Sequence, residues 1–460
     1  MGAAGRGLGR WIVLLTAVLA SLVAVIAPAS TAGASTAVSN VTVTVASPSS
    51  AAGALTTYNV GFKTSASGGL SDTSSITIVV PAGTGLTNLN GAVMLGTTQV
   101  GFCSHPSATT AVCVFYGGRT VAANTTVTVL LNGVNNPTTT STTQTLKVST
   151  SSDITAVTSP TYAITTAHSL ATVPVSLSSS LPGATGVTYK LSVKTSVSGG
   201  LAGDTGSTVT IVLPAATDLT NLNGAVMLGT TQVGFCTHPS SGTTATCELY
   251  GGRTIAASTT FAITLAGLKN PATAATYTAS VSTSSDLPVK KSAGYCVVAA
   301  GVPCIASVAP ASGGVGNAVT TTGLNLSGAT ALKFHGTAAT ILTNTATKIT
   351  TKVPAGATTG TLTVTTGGGT ATSPGAFTVI PAPTVTSFSP TSGPVGTTVT
   401  ITGTNLTGAT ALKFHGTAAT ILTNTATKIT AKVPAGATTG TIAVTTAGGT
   451  GTSATSFTVT

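Results

Sequence analysis

Acidic side chains are what this sequence has least of. Asp72, Asp153, Asp204, Asp218, Glu248 and Asp286 are the complete set in 460 residues, against 17 Lys and Arg. A glycosidase needs two carboxylates facing each other across a cleft, and a calcium loop needs several within one short stretch. Single acids scattered along the chain supply neither. The motifs H-E-x-x-H, G-x-S-x-G and the Walker loop are missing as well. Aromatic residues are only 4% and charged residues 5% of the chain, too few for a basic, aromatic nucleic-acid surface. Beyond the N-terminus no apolar run is long enough to span a bilayer, because Val, Ile and Leu alternate with Thr and Ser. No segment after that start shows helical periodicity with caps.

What is present begins with a leader. Residues 1–34 carry Arg6 and Arg10, an uncharged apolar run from Trp11 to Ile26, and small residues with A-x-A patterns at Ala27 to Ala29 and Ala32 to Ala34. These are the three regions of a secretory signal peptide, and the run falls short of the ~20 residues that cross a membrane. Its removal leaves fifteen basic and six acidic side chains, a formal charge of +9. The mature protein is therefore expected outside the cell, secreted or loosely associated with the wall, in an oxidising compartment and without membrane insertion. Thr460 ends the sequence without an LPxTG-type motif or apolar tail, so covalent wall sorting is not expected.

Two duplications organise the rest. NLNGAVMLGTTQVGFC at Asn88 to Cys103 recurs at Asn221 to Cys236, and the match extends through YGGRT to the STSSD segments. Downstream, residues 328–361 recur at 408–441 with one difference in 34 positions, Thr351 against Ala431. The expected order is signal peptide (1–34), repeat A1 (37–167), repeat A2 (168–300), module B1 (301–380) and module B2 (381–460). Within each unit the apolar residues have period two: Val41, Val43 and Val45; Ile76, Ile78 and Val80; Val127, Val129 and Leu131; Val209, Ile211 and Leu213; Phe261, Ile263 and Leu265. Short alternating strands bounded by Gly, Pro, Asn and Ser predict an all-β chain, four antiparallel β-sandwiches in tandem.

The B modules carry PTVTSFSPTSGPVGTTVTITGTNL (Pro383 to Leu406), then ALKFHG, ATKITAKVPAG and GTIAVTTAGG, ending in SFTV. This order resembles the IPT/TIG module, an immunoglobulin-like sandwich of bacterial surface proteins and of animal receptors and transcription factors. The resemblance covers B2 and B1, about a third of the chain. It implies protein binding, spacing or adhesion rather than catalysis. His335 and His415 stand where the family more often has Gly. Through GVNNP or GLKNP followed by STSSD, the A repeats are similar to immunoglobulin-like repeats of actinobacterial surface proteins. B1 has Val319-Thr320-Thr321 where B2 has Val399-Thr400-Ile401, so a hydroxyl is expected to point inward at Thr321.

Six cysteines in an oxidising compartment, each near another in sequence, are expected to form three local disulfides: Cys103–Cys113, Cys236–Cys247 and Cys296–Cys304. A zinc site would need more ligands than C-x9-C and one His provide. His105, His238, His335 and His415 lie beside Pro or Gly and read as turn residues; His168 lies between the A repeats. A Lys–Asn isopeptide bond would join Lys63 to Asn136 and Lys194 to Asn270 with Asp153 and Asp286 as acids, but alternation puts both lysines on the polar face. Lys333, Lys348, Lys352, Lys413, Lys428 and Lys432 form an acid-free basic set suited to an anionic surface. Tyr116 and Arg119 in FYGGRT, with Tyr250 and Arg253 in LYGGRT, are the candidate sugar contacts.

These readings converge on a non-catalytic protein of the cell envelope for adhesion, display or protein binding. The alternative is a carbohydrate-binding protein using the A repeats. Expected partners are a cell-wall polymer, a surface glycan or another surface protein, with no nucleic acid and no cofactor.

Overall fold

The computed structural model describes residues 36–239 and 242–460. The proposed signal peptide at 1–34 lies outside the described residues. The first repeat consists of β1 (Ser39–Ser47), β2 (Leu55–Lys63), β3 (Ser75–Val79), β4 (Asn90–Leu95), β5 (Thr98–Ser107), β6 (Thr110–Phe115), β7 (Thr126–Asn135), β8 (Ser141–Gln144), β9 (Lys147–Thr150), β10 (Val157–Thr158) and β11 (Tyr162–Ile164). Alternation decides which way each strand faces. In β2, Tyr58, Val60 and Phe62 are buried while Asn59 points out, and β7 buries Val127, Val129 and Leu131 in the same way.

Nine of these strands make one antiparallel sheet in the order β1-β2-β7-β4-β5-β6-β3-β9-β10, and β8 pairs with β11. The inward residues of β2 and β7 share one core with Ile76 and Ile78 of β3 and Val148 of β9. A single sheet can bring both of its halves to one core only by folding over. The two layers of this sandwich are therefore halves of a continuous sheet, and its hydrophobic face is interior throughout. The second repeat reproduces the order strand for strand, from Val175–Leu177 at one edge to Lys290–Lys291 at the other, around its own core. The one helical element among the described residues is a 3-10 turn at Gly203–Thr205.

The C-terminal part is built differently. Residues from Cys304 onward form a four-stranded sheet (Cys304–Ala309, Ala318–Leu324, Lys348–Lys352 and Ile341–Asn344) facing a five-stranded one (Ser312–Gly313, Gly369–Val379, Gly360–Thr366, Ala331–Phe334 and Thr337–Ala339). The same two sheets recur from Thr384 to Val459. Each pair encloses a separate core centred on an edge-to-face phenylalanine pair, Phe334 with Phe377 and Phe414 with Phe457. Neighbouring units touch through backbone and side chain: the Leu55 N–H donates to the Ser284 carbonyl at 2.9 Å, and the Thr276 hydroxyl to the Ile305 carbonyl at 2.8 Å.

Candidate binding site on the repeats

The hairpin of β5 and β6 positions the site. Cys103 stands directly opposite Cys113 across the ladder; both are buried, and their disulfide joins Cα atoms 3.9 Å apart. Cys236 and Cys247 repeat this at 3.8 Å. Successive side chains point to opposite faces, so with Cys103 inward its neighbour Phe102 must point outward. Phe102 is 47% exposed, and Phe235 beside Cys236 is 37% exposed.

Tyr116 follows the last residue of β6 and lies beside Phe102, with ring centroids 6.0 Å apart and planes inclined by 31°. Phe235 and Tyr250 are 5.8 Å apart at 24°. Gln99 Nε2 donates to the Tyr116 hydroxyl at 2.8 Å and to the Gly101 carbonyl at 3.1 Å. Gln232 makes the same two bonds, to Tyr250 at 2.9 Å and to Gly234 at 3.0 Å. Glycine is required at 101 and 234, because a Cβ would lie 2.2 Å from the Val114 carbonyl oxygen or 2.1 Å from that of Glu248.

The YGGR segment after each pair is a closed turn, with the Arg119 N–H bonded to the Tyr116 carbonyl and the Arg253 N–H to that of Tyr250. A carboxylate clasps each turn: Asp72 accepts from the Gly118 N–H at 3.1 Å, and Asp204 from the Gly252 N–H at 2.7 Å. Arg119 and Arg253 are exposed at the turn ends. One neighbour differs between copies: Val114 stands opposite Phe102, whereas Glu248 stands opposite Phe235. The structure thus joins the expected Tyr116 and Tyr250 to Phe102, Gln99, Phe235 and Gln232, which sequence reasoning overlooked. The signal was there in the parity of Phe102 and Cys103.

Elsewhere the candidate residues have other surroundings. The third disulfide, Cys296–Cys304, borders a cleft of about 570 Å³ lined by Val175, Leu177, Tyr295, Leu324 and Lys348 among others. The six lysines of the C-terminal modules are exposed but divided: Lys348 and Lys352, like Lys428 and Lys432, lie on the outer face of a four-stranded sheet, while Lys333 and Lys413 lie on the five-stranded sheet opposite. His335 and His415 have φ of 44° and 43°, in the left-handed region where Gly is favoured. Each ring covers a glycine, Gly360 or Gly440, and its Nδ1 is 2.8 Å from a hydroxyl, Thr358 or Thr438. Both are packing residues of a tight turn.

Asn136 and Asn270 hold tyrosines. Tyr58 donates to Asn136 Oδ1 at 3.1 Å, and Tyr189 to Asn270 Oδ1 at 2.7 Å. Burial pushes the Tyr58 hydroxyl up to about 12. Asp153 and Asp286 are fully buried; each accepts one backbone N–H, from Ser65 or Ser196, and keeps one oxygen without a partner. Burial raises the Asp286 carboxyl above the ordinary range. Asp153 lies less deep, and there the Ser65 amide and the Ser65 and Thr36 hydroxyls outweigh burial and hold the carboxyl below that range. Among the described residues no three His, Cys, Asp or Glu side chains cluster as for a metal ion, and no helix is long and apolar enough to cross a membrane.

Fold and site together define a tandem array of antiparallel β-sandwich modules with an exposed aromatic pair on each of the first two. Residues 303–379 and 383–459 match the family model of the IPT/TIG domain, and the chain carries two such domains. No curated protein matches the sequence. Among solved structures, the plexin A4 extracellular region is similar over 91% of this chain and 48% of its own length, at 10% identity and a TM-score of 0.25. The surface glycan-binding protein PbSGBP-B from Prevotella bryantii is similar over 35% of this chain and 43% of its own, at 22% identity and a TM-score of 0.18. The C-terminal domain of the Streptococcus agalactiae AgI/II polypeptide BspA is similar over 54% of this chain and 94% of its own, at 10% identity and a TM-score of 0.22. The chain spans about half the length of the plexin structure. Likenesses this distant bear on neither ligand nor activity.

Proposed function

We propose that this is a non-catalytic binding protein of the cell exterior, in which the IPT/TIG modules serve as a stalk or contact surface and the A repeats present ligand sites. The observation that carries the reading is the outward aromatic pair occurring at the same place in both repeats, each clamped from beneath by a disulfide. A small exposed aromatic patch that recurs in two copies is a recognition feature, because folding alone favours turning such rings inward. The disulfides suit an oxidising compartment, in keeping with the signal peptide expected at 1–34. The carbohydrate reading of the A repeats is favoured by the same rings. Retention of the purified protein on isolated bacterial cell walls tests the proposal: saturable retention is expected, and wall binding no greater than that of a non-binding control protein overturns it.

A further inference from the structure

We infer that each A repeat carries a site for an extended, ribbon-like pyranosyl glycan, formed by Phe102, Tyr116 and Gln99 in the first and by Phe235, Tyr250 and Gln232 in the second. This rests on the binding reading above and names its ligand class. The chain has only ten Phe and seven Tyr, and four of these stand exposed in the two pairs at 37–47% of their surface. In each pair the rings are inclined by no more than 31°. At 5.8–6.0 Å the near-parallel rings are too close to lie side by side in one plane, so each pair is an offset stack that leaves ring surface open to solvent.

The face of an aromatic ring is electronegative, and it attracts the weakly positive axial C–H groups on the underside of a pyranose. An open ring face fits a pyranose whose equatorial linkages leave its underside clear and keep successive sugars in a ribbon, and fits poorly one whose axial linkage projects from that underside and coils the chain. Polar groups stand at the edge of the surface. Gln99 uses Nε2 for the Tyr116 hydroxyl and the Gly101 carbonyl, which leaves its Oε1 as an acceptor and the tyrosine hydrogen as a donor for sugar hydroxyls. Gln232 and Tyr250 are placed alike. The cross-strand disulfide under each pair holds the hairpin before the ligand arrives, which lowers the ordering cost of binding.

The copies differ in one respect that sets their order of affinity. Glu248 opposite Phe235 adds two carboxylate acceptors for hydroxyls, whereas Val114 opposite Phe102 adds none. The second site is therefore the tighter one. Two sites on one chain also bind a polymer more strongly than either binds a short oligosaccharide.

The test uses the full-length secreted protein with cellohexaose and xylohexaose as ribbon-like probes and maltohexaose as the coiled control, read by calorimetry and by tyrosine fluorescence. At least one ribbon-like hexaose should bind saturably in the millimolar range or better, maltohexaose should not, and the Phe102→Ala/Tyr116→Ala/Phe235→Ala/Tyr250→Ala variant should lose binding at least about tenfold. Because these side chains are exposed, its melting temperature should stay close to wild type; Phe102→Trp/Phe235→Trp, which keeps the surface, should retain binding. Glu248→Ala should weaken the tighter class of sites and leave the weaker one. Silent hexaoses, equal binding of maltohexaose, or undiminished binding by the alanine variant overturns the inference. Wall retention measured alongside separates the failures: silent hexaoses with intact retention sink only the glycan assignment, whereas loss of retention by the wild-type protein sinks the binding reading itself.

Discussion

Thr321 and Ile401 occupy the same buried position in the two IPT/TIG modules, each fully enclosed and paired with an isoleucine, Ile349 or Ile429, on the neighbouring strand. Ile401 fills the space with hydrocarbon. Thr321 places there a hydroxyl that has no hydrogen-bond partner. On the other side Thr321 faces the partly buried Val308, where Ile401 faces Phe388, a ring that packs against Phe457. A buried unpaired hydroxyl costs about 1–3 kcal/mol, and the missing hydrocarbon costs a similar amount. Expressed separately, the module at 303–379 should unfold at lower denaturant than the one at 383–459. Thr321→Val, which removes the hydroxyl at nearly constant volume, should recover ~1 kcal/mol or more. If Thr321→Val proves destabilising, the hydroxyl has a partner and the comparison fails.

The Tyr58–Asn136 and Tyr189–Asn270 pairs are a second place where one side chain serves several groups. Asn136 Nδ2 donates to the Ser49 and Ala51 carbonyls, and Asn270 Nδ2 to those of Ser179 and Leu181. Asn136→Ala would strand the Tyr58 hydroxyl and the Ser49 carbonyl in the interior, at about 1–3 kcal/mol for each group left dry, while the Ala51 carbonyl keeps the Ala54 N–H. A loss of at least ~2 kcal/mol from the first repeat is expected in denaturant melts, against ~1 kcal/mol for Tyr58→Phe, which removes only one bond. Comparable small losses for both variants would show that water replaces the asparagine.

Much of this architecture could be read from the chain, for identifiable reasons. Strand faces follow from the alternation of residues such as Tyr58, Val60 and Phe62. Duplication pairs Cys103 with Cys113 and Cys236 with Cys247. The order of the nine-stranded sheet could not be read, because β2 pairs with β7 and β3 with β9 across dozens of residues, and no local pattern selects partners at that range. The site was half visible. FYGGRT drew attention to Tyr116, but V-G-F-C at 100–103 reads as one apolar run whose buried members are ambiguous. Only the knowledge that Cys103 is bonded inward assigns Phe102 to the solvent. The partners of Asn136 and Asp153 are tertiary and had no sequence signal.

Asp153 and Asp286 are equivalent residues with opposite pH behaviour. Burial raises Asp286 in the folded state, so ionising it opposes folding. Its effect is absent below the ordinary carboxyl range of ~3.9, and stability is lost as pH rises from there through the raised folded value. Asp153 is held below the ordinary range in the folded state; it contributes stability above that range and loses it as pH falls through its folded value. In thermal melts at ~pH 7, Asp153→Asn should lower the melting temperature and Asp286→Asn should not. Equal losses for both would show that the shallower burial of Asp153 and its Thr36 donor do not distinguish the two sites.

The divided lysines make a directional electrostatic prediction. Lys348 and Lys352 are four residues apart on one strand, as are Lys428 and Lys432, a spacing of about 13 Å along the chain. That exceeds the Debye length of about 8 Å at physiological ionic strength, so each lysine meets an anionic surface nearly independently. At ~1 kcal/mol for each lysine near such a surface, four on suitable faces supply ~4 kcal/mol, a dissociation constant near millimolar. Retention on teichoic-acid-rich walls through these modules should therefore be measurable at low salt and disappear near ~0.15 M. Lys348→Gln/Lys352→Gln/Lys428→Gln/Lys432→Gln should abolish the salt-sensitive part, and Lys333→Gln/Lys413→Gln, on the opposite faces, should leave most of it. If the two variants lose retention in proportion to the charge removed, net charge alone is responsible and no face of the modules is preferred.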